Sequence, residues 1–425
     1  MILNDEPENF DALFLLGSIQ LDNRKYESAE KYFSMMLQIT DSAKAHNGLG
    51  SIYFGKELYE DAMVFFEKAL QLDPQSTVHY MTKNLDKAAE YFKKTIAIKP
   101  DYQYAHCCLG IVLLYSGNFE EGWKEFNWLL KDSFFDAAAV GDFKYVLWDG
   151  SQVKGTLFIM ATKEIIDLGE MILFCSLIPE IQADYCIIKC EKRLVKLLNR
   201  SFPQKNIIFI SQDEYYRQPV RADEYTTIYH LPEYLRPSLE SFPKPKAWLV
   251  PDREKVKKWQ KRFDELGSGL KVGISWKGGK DPISRKIRST NLLQWGRVLS
   301  IPGIDFINLQ YGDCREELEA IKDKLNVTIH DWEDADPLKD IDNFAAEIAA
   351  LDLVISIDNS SVYFSGALVV PTWTLLPYVC NFHWFVNEDS IWFPNMRLFR
   401  QSSSGDWDSV FEDVAENLKE LSEAA

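Results

Sequence analysis

One passage of text recurs four times in the first third of the chain, and this limits the fold more than anything else in it. The segments YESAEKYFSMML, YEDAMVFFEKAL, LDKAAEYFKKTI and FEEGWKEFNWLL begin at Tyr26, Tyr59, Leu85 and Phe119. Their phenylalanines Phe33, Phe66, Phe92 and Phe126 follow at steps of 33, 26 and 34. Ala29, Ala62 and Ala88 recur beside them, and Leu16-Gly17, Leu49-Gly50 and Leu109-Gly110 recur upstream. A period in this range marks a stacked array of small helical units. The small residues let two helices of a hairpin approach closely, and the large rings fill the gap to the next hairpin. One such hairpin cannot bury its own apolar face, so the units must stack.

This pattern resembles the tetratricopeptide repeat over residues 1–131, with the units themselves in 6–131. The third unit departs from it, because only a stub of a first helix fits between Pro74 and Ala88 and the Leu-Gly pair is missing. A kink or break in the superhelix is expected there. The array implies a concave groove for an extended peptide or a partner protein.

A chain of 425 residues needs more than one core. Its net charge of −17 argues against duplex nucleic acid or an anionic membrane as partner, since both require a basic footprint. No apolar run approaches the ~20 residues of a spanning helix, and Met1 to Phe10 lacks the pattern of a signal peptide. The seven cysteines include no paired metal-ligand spacing, and they are read as thiols in a reducing, cytoplasmic setting.

Beyond residue 131 the helical period stops. Residues 132–150 read as a linker. Apolar runs then alternate with amphipathic segments, which indicates parallel sheets covered by helices. GTLFIMAT, ADYCIIKC and NIIFISQ are the expected strands of a first half, 151–245, with helices near 168–179 and 191–201. LKVGISW, GIDFINLQ, NVTIH, LDLVISI and PTWTLL are those of a second half, 246–425, with helices near 252–266, 291–299, 314–325, 338–350 and 360–368. A proline-rich stretch from Phe242 to Pro251 separates the halves, so a cleft between them is expected. Ligands of open α/β sheets bind beyond the carboxyl ends of the strands.

Two strand ends carry chemistry. After Ile357 come Asp358, Asn359, Ser360 and Ser361, and then a helix. Backbone N–H groups, two hydroxyls and a positive helix end meet at one point, which suits a diphosphate; the same residues also suit an ordinary helix cap. After the first strand of the same half, WKGGKDPISRKIRS supplies Lys277, Lys280, Arg285, Lys286 and Arg288, the densest basic cluster in the chain. It reads either as a solvated loop or as a clamp on phosphates.

Taken together, LWDG, GISWKGG, RKIRS, INLQYGDC, LDLVISIDNSSVYFSGAL, TLLPY and MRLFRQSSSGDW resemble the heptosyltransferase-like glycosyltransferases, over about 145–410. The resemblance is greatest to bacterial proteins with tetratricopeptide repeats ahead of that module. It implies a tetratricopeptide-type α-solenoid followed by a GT-B-like pair of Rossmann-type parallel-sheet domains, and a nucleotide-sugar donor. It also implies that Asp358, Asn359, Ser360 and Ser361 hold the donor diphosphate, with Tyr363 where the family has His. Ser275 and Trp276 match the donor-side loop, with Lys277 and Arg288 beside them. Gln310, Gly312 and Glu316 fall on the loop that meets the nucleoside, Glu316 toward the ribose hydroxyls. In IIDLGEMILFCSLIP, Glu170 takes the place of the acid that deprotonates the acceptor, with Asp167 in reserve. Both acids also favour a helix start.

The departures are Glu170 for Asp, Tyr363 for His, and Asn381-Phe382-His383-Trp384 for Asp-Trp-Arg-Trp. Asp334-Ala335-Asp336 has a metal-binding form but sits in an ordinary acidic loop. GT-B-like enzymes neutralise the leaving diphosphate without metal, so no cofactor is expected. The leading expectation is a glycosyltransferase whose repeats recruit the acceptor, expected to be a protein. The rival is a non-catalytic repeat adaptor with a degenerate transferase module.

Overall fold

The computed structural model describes residues 9–56, 58–72, 85–130, 146–161, 167–218, 220–242, 246–279, 285, 287–378, 380–385, 389–403 and 405–424. The chain divides into two compact units, Met1–Asp142 and Phe143–Ala425.

In the first unit, helices α1 (Phe10–Asp22), α2 (Tyr26–Ile39), α3 (Ala43–Gly55) and α4 (Tyr59–Leu72) follow one another as hairpins. Then come α5 (Leu85–Ile98), α6 (Gln103–Tyr115) and α7 (Phe119–Phe126). Phe33, Phe66, Phe92 and Phe126 are buried, as are Ala29, Ala62 and Ala88. The repeat glycines explain the close approach. A Cβ on Gly17 would lie 2.9 Å from the Phe33 ring, and one on Gly50 would lie 2.8 Å from the Phe66 ring. The shortened start of the third unit, 73–84, lies outside the described residues.

In the second unit, β1 (Val153–Met160), β2 (Ala183–Cys190), β3 (Ile207–Ser211) and β4 (Glu224–Thr227) form a parallel sheet in the order β3-β2-β1-β4. Helices α8 (Leu168–Cys175), α9 (Val195–Ser201) and α10 (Gln212–Arg217) belong to this half. The end of the expected linker is part of the sheet: Trp148 N donates to Tyr225 O at 3.0 Å, and Tyr225 N donates to Val146 O at 2.9 Å. Its remainder, 132–145, is outside the described residues.

The second sheet, also parallel, runs β10-β9-β8-β5-β6-β7. Its strands are β5 (Leu270–Ser275), β6 (Ile304–Asn308), β7 (Ile329–His330), β8 (Leu353–Ile357), β9 (Thr372–Leu376) and β10 (Met396–Arg400). Around it lie α11 (Arg253–Asp264), α12 (Arg315–Leu325), α13 (Ile341–Ile348), α14 (Ser360–Leu368) and α15 (Trp407–Ala424). Every residue of β8 is buried, as expected of a central parallel strand. Strands β4 and β10 and helix α15 were not among the expected elements.

Ion pairs and the connecting stretch fasten the two halves together. Arg200 of α9 grips Asp342 of α13 with both guanidinium nitrogens, and Lys196 reaches the same carboxylate at 3.2 Å. The connecting stretch lies along both halves: Val250 N donates to Ser201 Oγ at 2.9 Å, and Trp248 N donates to Ala367 O at 3.2 Å. Elsewhere α8 lies directly on α14. Gly169 makes this possible, because a Cβ there would lie 2.4 Å from the Tyr363 ring.

Candidate active site

The carboxyl ends of β5, β6 and β8 are tied together by side chains. Asn359 caps α14, its Oδ1 accepting from Ser361 N at 3.0 Å. Its Nδ2 donates to Ser275 Oγ at 2.7 Å and to Lys277 O at 3.1 Å. Gln310, beyond β6, accepts at Oε1 from Ser275 Oγ (3.1 Å), Trp276 N (3.0 Å) and Lys277 N (2.7 Å). Ser275, Gln310 and Asn359 therefore build the floor of the site. The helix cap and the strand-end loop, two separate features of the sequence, are one hydrogen-bonded object.

The expected donor residues divide accordingly. Trp276 is buried core, its Nε1 donating to Glu317 at 3.3 Å. Lys277 pairs with Glu317 at 2.5 Å. Glu316 points to solvent at the start of α12, so the carboxylate that meets the loop is its neighbour Glu317. Gly312 is exposed at φ +82°. Ser360 is half-buried at the first turn of α14, and Ser361 is buried behind it. Arg288 lies opposite Asp358, with Nη1 3.7 Å from Oδ2, while Arg285 is exposed. Lys280 and Lys286 are outside the described residues.

Behind this floor a chain of buried polar groups runs from one sheet to the other. Tyr363 donates its hydroxyl proton to Asp358 Oδ1 at 3.1 Å, and Asn381 Nδ2 donates to Asp358 Oδ2 at 3.3 Å. The Tyr363 hydroxyl also meets His383 Nε2 at 2.5 Å. With its side chain only 3% exposed, Tyr363 braces Asp358 and does not face the cleft. His383 Nδ1 stands 4.0 Å from Glu170 Oε1 and has no hydrogen-bond partner among the described residues. The other Glu170 oxygen, Oε2, accepts from Tyr229 Oη at 2.5 Å.

Asp167 caps α8, its Oδ1 accepting from Glu170 N at 3.0 Å. The reserve acid is thus the cap that fixes the other acid's backbone. Burial raises the Glu170 carboxyl to about 8, and the nearby Asp167 pushes the same way against the Tyr229 hydrogen bond. Glu170 consequently carries its proton at neutral pH. Burial lowers His383 to about 3, so its ring is neutral.

Sequence reasoning did not find Tyr229, Glu317 or the role of His383. The signal for His383 was present, since the family's His at position 363 is absent here while a His appears at 383. The structure brings those two side chains into contact. Tyr229 follows the four-residue strand β4, which has no long apolar run to betray it.

Asp334 of the Asp-Ala-Asp sequence is held by Lys258 at 3.1 Å and Arg262 at 2.8 Å. No group of three or more metal-ligating side chains is present among the described residues. No helix among them is long and apolar enough to cross a membrane.

Residues 2–44 and 43–76 each match the tetratricopeptide repeat family. Protein FlbA of Caulobacter vibrioides is 30% identical over 325 residues, covering 73% of this chain and 54% of FlbA, so the chain spans about half the length of that relative. Among solved structures, ADP-heptose lipopolysaccharide heptosyltransferase II of E. coli is 14% identical (64% of this chain, 99% of that one, TM-score 0.44). The glycosyl transferase family 9 protein of Veillonella parvula is 11% identical (66% and 100%, TM-score 0.43). A mutant O-GlcNAc transferase of Thermobaculum terrenum is 13% identical (99% and 91%, TM-score 0.32). Similarity this loose does not assign an activity. Residues 2–76 are thus tetratricopeptide repeats, joined in one chain to a compact unit of two parallel α/β sheets.

Proposed function

We propose that the protein is a GT-B-like glycosyltransferase that moves a sugar from a nucleotide-sugar donor to an acceptor hydroxyl, and that the repeats recruit the acceptor, a protein or peptide. One observation carries the reading. A half-buried acid of the first half, Glu170 on α8, faces His383 at 4.0 Å, and His383 links it through Tyr363 to the Asp358–Arg288 pair at the start of α14 in the second. An acid and an anion-binding helix end, on facing halves, are what sugar transfer requires. The donor diphosphate would lie at the first turn of α14 beside Arg288, with Ser360 toward it. The acceptor would enter along α8, and Glu170, once ionised, would take its proton. As the sugar–phosphate bond breaks, charge builds on the diphosphate. The helix end and the guanidinium, already aimed there, stabilise that charge more than they stabilise the bound donor. Arg288 and the helix end supply the positive charge, so no metal is assigned a role. A nucleotide-sugar substrate and reduced cysteines both fit a cytoplasmic protein.

The test is a thermal-shift screen with nucleoside diphosphates and their sugars, followed by turnover of wild type and Glu170→Gln. A ligand that binds only the native state raises the midpoint. Failure of every nucleotide to do so would sink the reading. One observation favours the adaptor alternative: Lys277 and Arg288 each sit against a carboxylate of the chain itself, Glu317 and Asp358. On that reading nucleotide sugar binds and is never consumed, even by hydrolysis, with acceptors offered broadly.

A further inference from the structure

We propose that Glu170, His383, Tyr363 and Asp358 form one proton-conducting chain across the two sheets, through which a diphosphate bound beside Arg288 draws the proton off Glu170 and arms it as the base. This rests on the transferase reading and adds to it a way in which donor binding switches on the acceptor side.

The direction of each hydrogen bond follows from counting protons. A carboxylate only accepts. Asp358, facing Arg288 and receiving Asn381 Nδ2, takes the single proton of Tyr363. At the 2.5 Å contact with His383, Tyr363 must then be the acceptor, so His383 carries its proton on Nε2. Nδ1 is left bare, which accounts for a buried ring nitrogen that faces Glu170 Oε1 without a hydrogen bond among the described residues. Tyr229 occupies Glu170 Oε2, so the carboxyl proton sits on Oε1, the side toward the bare nitrogen. Closing the 4.0 Å gap by about 1 Å makes the chain continuous.

Transfer then balances bond by bond. The Glu170 Oε1–H bond breaks as His383 Nδ1–H forms. His383 Nε2–H breaks as a new Tyr363 O–H forms, and the old Tyr363 O–H breaks as Asp358 Oδ1–H forms. Glu170 becomes a carboxylate, Asp358 a carboxylic acid, and His383 its other neutral tautomer. The ring never bears a charge, which agrees with a buried position that disfavours imidazolium. A diphosphate beside Arg288 supplies the driving force. It competes with Asp358 for the Arg288 guanidinium, and negative charge brought beside a carboxylate favours its neutral form. Asp167 and Glu170 lie at the far end of the chain, and Asp358 and Arg288 at the near end, so the near carboxylate feels the ligand most. After transfer the acceptor's proton rests on Glu170, and the proton on Asp358 leaves with the diphosphate as Arg288 returns. His383 and Tyr363 are positioning residues in this scheme, since neither touches the substrate.

The test reads the tautomer directly. The full chain is labelled with 15N-histidine, and His383 is assigned by its loss in His383→Gln. Long-range proton–nitrogen correlation at pH 7 should show Nε2 protonated and Nδ1 bare. ADP, UDP, GDP and CDP are then added in turn, with binding followed by thermal shift. The diphosphate that binds should exchange the two nitrogen signatures in wild type. Tyr363→Phe keeps the ring against Gly169 but cuts the chain, so it should bind the diphosphate without the exchange, and kcat should fall at least about tenfold at unchanged donor KM. A proton on Nδ1 in the ligand-free protein overturns the chain. Diphosphate binding with no exchange overturns the coupling and leaves the transferase reading standing. If none of the four binds, the donor site and the coupling fall together.

Discussion

Glu170→Gln tests the buried carboxyl without any substrate. In the folded protein the group holds its proton up to about pH 8, whereas an ordinary carboxyl loses it near 4.5. Folding at neutral pH must therefore take up a proton. Each pH unit between those two values costs about 1.4 kcal/mol of stability. The sign is that of a raised acid: the favourable contribution is complete below pH 4.5, declines as pH rises and is gone above 8. At pH 7 the cost is roughly 3 kcal/mol. Glutamine mimics the neutral acid, because its oxygen can accept from Tyr229 and its amide can donate toward His383 Nδ1. The variant should match wild type near pH 4.5 and exceed it by roughly 3 kcal/mol at pH 7, or about 5–10 °C in the midpoint of the second unit. Denaturation of both proteins at pH 4.5, 6, 7 and 8 measures the difference. An offset independent of pH, or a variant less stable at pH 7, would refute the buried, protonated state.

The same acid governs catalysis, so Glu170→Gln should lower turnover by about 10²–10⁴-fold, and a variant that turns over as fast as wild type removes Glu170 as the base. Ser360→Glu places a carboxylate at the first turn of α14, where phosphate should sit. Nucleoside diphosphate affinity by calorimetry should drop at least about tenfold while the melting profile holds, and an unchanged Kd puts the phosphates elsewhere. Chelator should leave diphosphate affinity unaltered, and a loss on adding it would give the Asp334–Asp336 acids the role denied to them here. Deleting residues 1–131 should spare nucleotide binding and slow modification of a protein acceptor; equal rates would mean that the repeats do not recruit it.

Periodicity explains which elements were legible. The repeats read clearly because Phe33 and Phe66 each sit against a glycine of a neighbouring helix, and those glycines recur 33 residues apart at Gly17 and Gly50. The strands of the two sheets read well where both faces are buried, as in Leu353–Ile357. Strand β4, Glu-Tyr-Thr-Thr, is short and opens on a charge, so nothing in its text announces a sheet edge. Helix α15 carries Val410, Phe411, Val414 and Leu418 on one buried face, a helical spacing that was there to be read.

The site was legible in its letters but not in its wiring. Asp358 and Asn359 stood out as part of a polar helix start, and the resemblance added Ser275 and Gln310 on separate loops, each as a ligand contact. In the fold, three of them spend their hydrogen bonds on one another, because parallel strand ends lie side by side and buried polar groups must be satisfied. What remains for a ligand is what their mutual bonds leave uncovered: Ser360, the guanidinium of Arg288 and the end of α14. The departures at Tyr363 and His383 likewise look like two separate losses when read along the chain, twenty residues apart. Across the sheets they are in contact, and each supplies what the other needs, since the tyrosine oxygen accepts the histidine proton while its own proton satisfies Asp358. Among the described residues the substitutions complete a buried hydrogen-bond chain that leaves Nδ1 of His383 without a partner, and that nitrogen faces Glu170 of the other half.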